Sequence, residues 1–261
     1  MILQLPKSMK AAQVKFYGGI DEMITVEESV PVPRLDDELV FKEKLHPMIK
    51  GSLKKDRLTH MIIKTLAVSL SPADYRILSG RTRLFQGPPS FPYIPGGDCC
   101  GIVVDPGNST YFKKGDVVSA RFAAVPRDGI AEYARVSSSV CEKVDTKKIS
   151  PVAAAALASA SPAAILCEKI RPNERVLILG AGGGVGSHLC QLARMKGASY
   201  ICGLSRNPKR LLDAPLLCDD AIDYTKENIY VSKKFQQEPF DTIIDLACGG
   251  WPQLVEHSHL K

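Results

Sequence analysis

The sequence predicts a two-domain α/β chain, with a compact β-rich domain over residues 1–149 and a parallel α/β domain over 150–261. Three observations predict it. Up to Ser150 the apolar residues fall in short alternating or β-branched runs, broken by Gly, Pro, Asn and Asp. After Ser150 strand-like and helix-like segments alternate, the pattern of parallel βαβ units. In the second half, "RVLILGAGGGVGSHLCQLARMKGA" sets a glycine cluster between an apolar strand and an amphipathic helix.

The β-rich half is carried by "AAQVKF", "HMIIKTLAVSL", "CCGIVVD", "KKGDVVSARF" and "IAEYARVS", separated by turn chemistry such as "GPPSFPYIPGGD" and "DPGNS". Closely spaced short strands of this kind favour a barrel-like domain, expected to hold the substrate end. "DDELVFKEKLHPMIKGSLKKDR" interrupts the pattern and reads as a solvated excursion; an RNA-binding arm is the sharper reading, and the ordinary one is preferred. In the second half, "SPVAAAALASASPAAILCEKI" is helical in propensity, with Ser150 and Pro151 supplying N-cap and first-turn chemistry. Strands and helices then alternate through "RVLILG", "VGSHLCQLARMKG", "SYICGLS", "NPKRLLDA", "DAIDY" and "FDTIIDLA".

Composition bounds the function classes. The chain has 261 residues, 45% of them hydrophobic, and a net charge of +6 from 34 basic and 28 acidic side chains. That excess suits phosphate-bearing ligands and is too diffuse to announce nucleic acid. The opening "MILQLPKSMKAAQ" lacks the apolar core of a secretion signal, and no apolar run is long enough for a membrane span, so the cytoplasm is the expected compartment. The eight cysteines lie mostly in apolar strand or helix contexts and are read as reduced thiols.

Within "GAGGGVG" the pattern Ala-x-Gly-x-x-Gly runs through Ala181, Gly183 and Gly186. The second glycine lets backbone approach a pyrophosphate, the third lets the helix pack against the strand, and the helix N-terminus adds about half a positive charge. The preceding strand and following helix are the context a dinucleotide fingerprint requires. Ala181, Gly183, Gly184, Val185 and Gly186 are therefore the candidate diphosphate contacts. At the end of the next strand, "GLSRNPKR" offers Ser205, Arg206 and Lys209 where NAD sites place a carboxylate, which favours the extra phosphate of NADPH.

These segments, in this order, resemble the zinc-independent quinone oxidoreductase (zeta-crystallin-like) group of the medium-chain dehydrogenase/reductase family. "SPADYRILSG", "FPYIPGGDCCGIVV", "FKKGDVV", "GIAEYA", the glycine cluster and "DDAIDY" carry the resemblance from Met9 onward. It implies an N-terminal GroES-like β-barrel domain and a Rossmann-type domain lacking its last strands. It also implies hydride transfer from NADPH to a quinone or an α,β-unsaturated carbonyl. By the same resemblance Ser161 stands near the nicotinamide, Tyr224 beside the adenosine phosphate, and Ser71 and Arg76 at the substrate, as the candidate catalytic residues.

Zinc-dependent relatives would hold ligands at Ser71, Gly97 and often Asp98, and neither a hydroxyl nor a hydrogen replaces thiolate or imidazole at tetrahedral zinc. Cys99, Cys100 and Cys141 lack ligand spacing, and His257 and His259 read as ordinary tail residues, so no metal is expected. Two departures from the group bear on proton supply. Ser71 replaces its asparagine, and Thr82 stands where a tyrosine is common, which leaves Tyr75 or water as the acid. The group's pattern continues for about two further strands beyond "FDTIIDLACGG", so this segment is expected as an open sheet edge. Such an edge suits a homodimer or another partner chain, and a non-catalytic nucleotide- or partner-binding protein is the alternative reading.

Overall fold

Strands form where the sequence alternates. The computed structural model describes residues 5–18, 24–37, 59–81, 83, 91–121, 128–157, 160–231 and 233–247. The charged segment 38–58, Thr82, His257 and His259 lie outside them. Two compact units are present, residues 1–158 and 159–261.

In the first unit β1 (Ser8–Val14) pairs antiparallel with β2 (Ile24–Pro31). The main sheet is built from β3 (His60–Ser69), β4 (Asp98–Asp105), β5 (Val117–Arg121), β6 (Tyr133–Ser137) and β7 (Cys141–Lys143). These run antiparallel in the order β6-β3-β4-β5-β7. Single bridges from Ala11 to Ala131 and from Val14 to Tyr93 join β1 to segments flanking this sheet. Met61, Ile63, Val103, Phe112, Val118 and Val136 fill one core cluster. β3 and β4 approach so closely at Gly101 that a Cβ there would lie 2.7 Å from the Lys64 carbonyl oxygen.

Two helices belong to this unit. α1 (Pro72–Leu78) starts on a proline behind Ser71 and buries Ile77 and Leu78. α2 (Pro151–Leu157) is capped by Ser150, whose Oγ accepts from Ala153 N–H at 3.2 Å. Ala154 and Ala155 are buried and pack with Cys100, and Ser119 Oγ donates to the Ala154 carbonyl at 2.9 Å. Small side chains let α2 lie flat on β3 and β4. The division between units therefore falls after α2, at 158/159, whereas the sequence placed it at 149/150.

The second unit is a parallel sheet of β8 (Arg175–Leu179), β9 (Tyr200–Leu204), β10 (Asp220–Ile222) and β11 (Thr242–Asp245), in the order β10-β9-β8-β11. Its helices are α3 (Ala160–Cys167), α4 (Gly184–Met195), α5 (Lys209–Leu212) and α6 (Lys233–Gln237). Successive strand residues point to opposite faces, so the apolar run of β8 feeds two cores. Val176 and Ile178 pack with Ala163, Leu189 and Leu211, while Leu177 and Leu179 pack with Phe235 and Phe240. Among the described strands β11 pairs with β8 alone. No helix among the described residues is long and apolar enough to cross a membrane.

Arg175 opens β8 and clamps the amino end of this sheet. Its guanidinium lies 4.1 Å from the centre of the Tyr200 ring and 5.8 Å from that of Phe240. It pairs with Glu238 at 3.2 Å, and its backbone N–H donates to Asp241 Oδ2 at 2.8 Å.

At the other end α4 rests on the turn that follows β8. A Cβ at Gly186 would collide with the Gly180 carbonyl oxygen and lie 2.7 Å from Ala181 Cα. Because those atoms are backbone and have no rotamer to change, Gly186→Ala is expected to destabilise the chain by about 1–3 kcal/mol in chemical denaturation. A midpoint equal to that of the parent chain would refute this packing.

Candidate functional site: a nucleotide turn at the sheet's carboxyl end

The glycine turn is built by backbone hydrogen bonds. Gly180 leaves β8 with φ +80°, a conformation that suits glycine. Ala181 N–H donates to the Leu204 carbonyl at 3.1 Å, and Gly183 N–H donates to the Gly180 carbonyl at 3.0 Å. Gly183 is then the N-cap of α4, its carbonyl accepting from Ser187 N–H at 2.9 Å. By helix geometry the amides of Gly184, Val185 and Gly186 have no acceptor within α4, and they carry the positive end of its dipole.

The glycines divide by what surrounds them. Gly186 is glycine because the chain's own backbone fills the space of a Cβ. Among the described residues nothing lies within 4 Å of the Cβ position at Gly184, and at the exposed Gly183 a Cβ would lie 3.3 Å from the Gly180 carbonyl oxygen. A side chain at Gly184 would occupy open room above the amides rather than meet described protein atoms, whereas one at Gly183 would press on the Gly180 carbonyl. A cradle of this form fits a diphosphate.

The neighbouring strand ends close around the turn. Ser205, just past β9, donates its N–H to the Ile222 carbonyl at 3.0 Å and accepts from Asn207 N–H at 3.1 Å through Oγ. A Cβ at Gly182 would sit 2.5 Å from Ser205 Oγ, so this glycine makes room for the serine. Arg206 and Lys209 are exposed beyond it. After β10, Asp223 is buried and accepts from the Thr225 hydroxyl at 2.6 Å and its N–H at 3.1 Å. Those hydrogen bonds, with Lys226 at 3.2 Å, hold its carboxyl below the usual carboxylate range and fix the turn that presents the exposed Tyr224. Ser161 is exposed on the first turn of α3, which packs on α4.

The structure thus gathers Ala181, Gly183, Gly184, Val185, Gly186, Ser205, Arg206, Lys209 and Tyr224 at the carboxyl end of one parallel sheet, where nucleotide sites form in such folds.

Ser71 and Arg76 lie together on α1 of the first unit, and the role of the serine there is partly structural. Its N–H and hydroxyl donate to Asp74 Oδ2 at 2.9 and 2.8 Å. Sequence reading passed over Asp74, although Ser-x-x-Asp at 71–74 is a variant of the capping-box signal and would have flagged it. Arg76 is exposed in the last turn, and Tyr75 is exposed with the Arg81 guanidinium 5.8 Å from its ring centre.

Asp98 is buried at the start of β4, where Arg121 Nε lies 3.9 Å from its carboxylate. Burial pushes the Cys99 thiol up to about 12 and raises Cys141 as well, away from the thiolate form a metal requires. No group of three or more His, Cys, Asp or Glu that could hold a metal ion is found among the described residues.

Comparison with known proteins agrees with this geometry. Residues 57–159 match the alcohol dehydrogenase GroES-like domain. The chain is 30% identical over 236 residues to the NADPH-dependent alkenal/one oxidoreductase, chloroplastic, of Arabidopsis thaliana, with 86% of this chain and 55% of the relative covered. It is 31% identical to the chloroplastic quinone-oxidoreductase QR1 of Triphysaria versicolor, covering 92% of this chain and 69% of the relative. The quinone oxidoreductase of Coxiella burnetii superposes with a TM-score of 0.71 at 26% identity, covering 97% of this chain and 73% of that one. The chain spans little more than half the length of the Arabidopsis relative. With 31% identity to QR1 sustained over 69% of that protein, the chain belongs to the quinone oxidoreductase group of the medium-chain dehydrogenase/reductase family.

Proposed function

We propose that the chain binds NADPH at the glycine turn and acts as an NADPH-dependent reductase of quinones or α,β-unsaturated carbonyls, without a catalytic metal. The observation that carries the reading is the open room at Gly184, above first-turn amides that have no acceptor within α4, on the same sheet end as Ser205 and Arg206. The names of the relatives, an NADPH-dependent alkenal/one oxidoreductase and a quinone-oxidoreductase, support the substrate class.

In this proposal the amides of Gly184, Val185 and Gly186 hold the diphosphate, with Ala181 and Gly183 shaping the turn. Ser205, Arg206 and Lys209 bind the phosphate on the adenosine ribose, where a guanidinium makes charge-assisted hydrogen bonds. Tyr224 lies along the adenosine side and Ser161 near the nicotinamide. When bound, NADPH supplies the hydride. The first unit supplies the substrate walls, Arg76 stabilises negative charge on the carbonyl or quinone oxygen, and Ser71, held by Asp74, positions the substrate. The described cysteines are free and buried, which supports a reducing compartment such as the cytoplasm.

A second reading has its own observation. β11 offers its outer edge with β8 as its single described partner, an arrangement that suits pairing with another chain, a second copy included. In that reading the protein binds nucleotide or partner without catalysis.

Three measurements test these assignments. NADPH oxidation followed in the presence of a benzoquinone or a short alkenal is expected to depend on both reactants; absence of turnover with NADPH bound would favour the non-catalytic reading. Arg206→Ala is expected to weaken NADPH binding about 10- to 100-fold while leaving NADH binding nearly unchanged, the loss of one charge-assisted contact. Equal weakening for both nucleotides would remove Arg206 from the ribose phosphate. Gly184→Ala is expected to keep stability within about 0.5 kcal/mol, as an ordinary surface substitution does, and still weaken NADPH binding; unchanged affinity would mean that the open room is not the diphosphate site.

A further inference from the structure

We propose that His188 is a binding residue of the nucleotide site: as an imidazolium it pairs with the diphosphate seated at the glycine turn, so that nucleotide binding takes up a proton. The proposal rests on the nucleotide reading of that turn.

His188 stands one helical turn beyond Gly184 on α4. Side chains on a helix lean toward its N-terminus, so the side chain at 188 covers the surface over residue 184. The structure shows that lean directly, with His188 Nδ1 2.8 Å from the Gly184 carbonyl oxygen. The Ser187 hydroxyl donates to the same oxygen at 3.0 Å and holds the acceptor from a second side. Apart from the helix's own backbone, no described atom, the ring included, comes within 4 Å of the Cβ position at Gly184. The ring therefore borders the open room over the first-turn amides without filling it.

The hydrogen bond fixes which ring nitrogen carries the proton. A carbonyl oxygen only accepts, so Nδ1 is the N–H donor, and in the neutral ring Nε2 is an acceptor. Nε2 is on the opposite edge of the ring, and it has no hydrogen-bond partner among the described residues. A neutral ring offers a phosphate nothing from that edge, since both are acceptors. Once protonated, the ring keeps its bond to Gly184 and presents Nε2–H as a charge-assisted donor.

The surrounding elements bring no carboxylate to the ring. α4 packs on α3, β8 and β9. Their titratable side chains are Cys167 on α3, Arg175 on β8, and Tyr200 and Cys202 on β9; α4 adds Cys190 and Arg194. The cysteines are buried in the core, Arg175 lies over the Tyr200 ring at the amino end of the sheet, and Arg194 pairs with Asp219 at 2.7 Å. None of these four elements contains Asp or Glu. Arg206 and Lys209, past the end of β9, add only positive charge to this rim. The positive end of α4 opposes a further cation until an anion arrives. Counter-charge is thus left to a ligand, and a diphosphate supplies it.

Titration calorimetry on the full chain tests the proposal with NADP+, the oxidised nucleotide, which withstands mild acid. The parent chain, His188→Gln and His188→Lys are each titrated at about pH 6 and about pH 8, within the interval in which histidine changes charge. Glutamine and lysine are better helix formers than histidine, so both variants keep α4. The ribose phosphate titrates alike in all three chains, and the comparison isolates residue 188. From the higher to the lower pH the parent is expected to gain about 5- to 10-fold in affinity relative to His188→Gln, the worth of one half-exposed charge-assisted contact. His188→Lys, charged throughout, is expected to bind more tightly than His188→Gln at about pH 8. Equal pH dependence in the parent and His188→Gln, or a lysine variant no tighter than the glutamine one, would overturn the role of His188 and leave the nucleotide reading in place. No binding of NADP+ by the parent at either pH would remove the nucleotide reading and this proposal with it.

Discussion

Contact without a side chain at Gly186 is the constraint on which the second unit depends. The backbone of Gly180 and Ala181 occupies the space where a Cβ would be, so α4 reaches the end of β8 at a distance that no other residue permits. From that one approach follow the direction of the helix, the aim of its first-turn amides and the placement of Leu189 and Cys190 in the core behind the sheet. The room above Gly184 follows too: the helix is held from behind, and no described residue comes within 4 Å of a Cβ at Gly184.

The loops beside the turn are fixed by the same economy of backbone contact. Ala181 is tied to Leu204, and Ser205 to Ile222, so the ends of β8, β9 and β10 are stitched in sequence by one hydrogen bond each. Of the rim side chains, Ser205 and Asp223 hold their own turns, while Arg206, Lys209 and Tyr224 stay exposed. The first unit solves a different problem. There Ser71 caps α1 through Asp74, and Arg76, two residues further on, is exposed; a helix start that is fixed this way gives its exposed face a defined direction.

What was legible in the sequence was local. The passage from β8 through the turn into α4 could be read because strand period, glycine spacing and helix amphipathicity all occur within two dozen residues. β2 and α6 went unread: "ITVEESVP" carries exposed polar residues and buries only Val30, and "KKFQQ" offers one buried aromatic, Phe235, rather than a periodic stripe. The allegiance of α2 was equally invisible, since its alanines fit any close surface and only the structure shows that they meet Cys100. The tie from Arg194 on α4 to Leu217 and Asp219 spans more than twenty residues, and no local pattern announces a contact of that kind.

The Arg175 clamp has a consequence for the sheet as a whole. One residue gathers two aromatic rings and the Glu238 carboxylate with its guanidinium, and the Asp241 carboxylate with its backbone N–H, where β8, β9 and β11 begin, so register between those strands is decided at the edge remote from the nucleotide turn. Assembly and recognition are thereby assigned to opposite poles of the same layer. Loops at the recognition pole are free to change length or chemistry while strand alignment, already settled at the far pole, stays as it is.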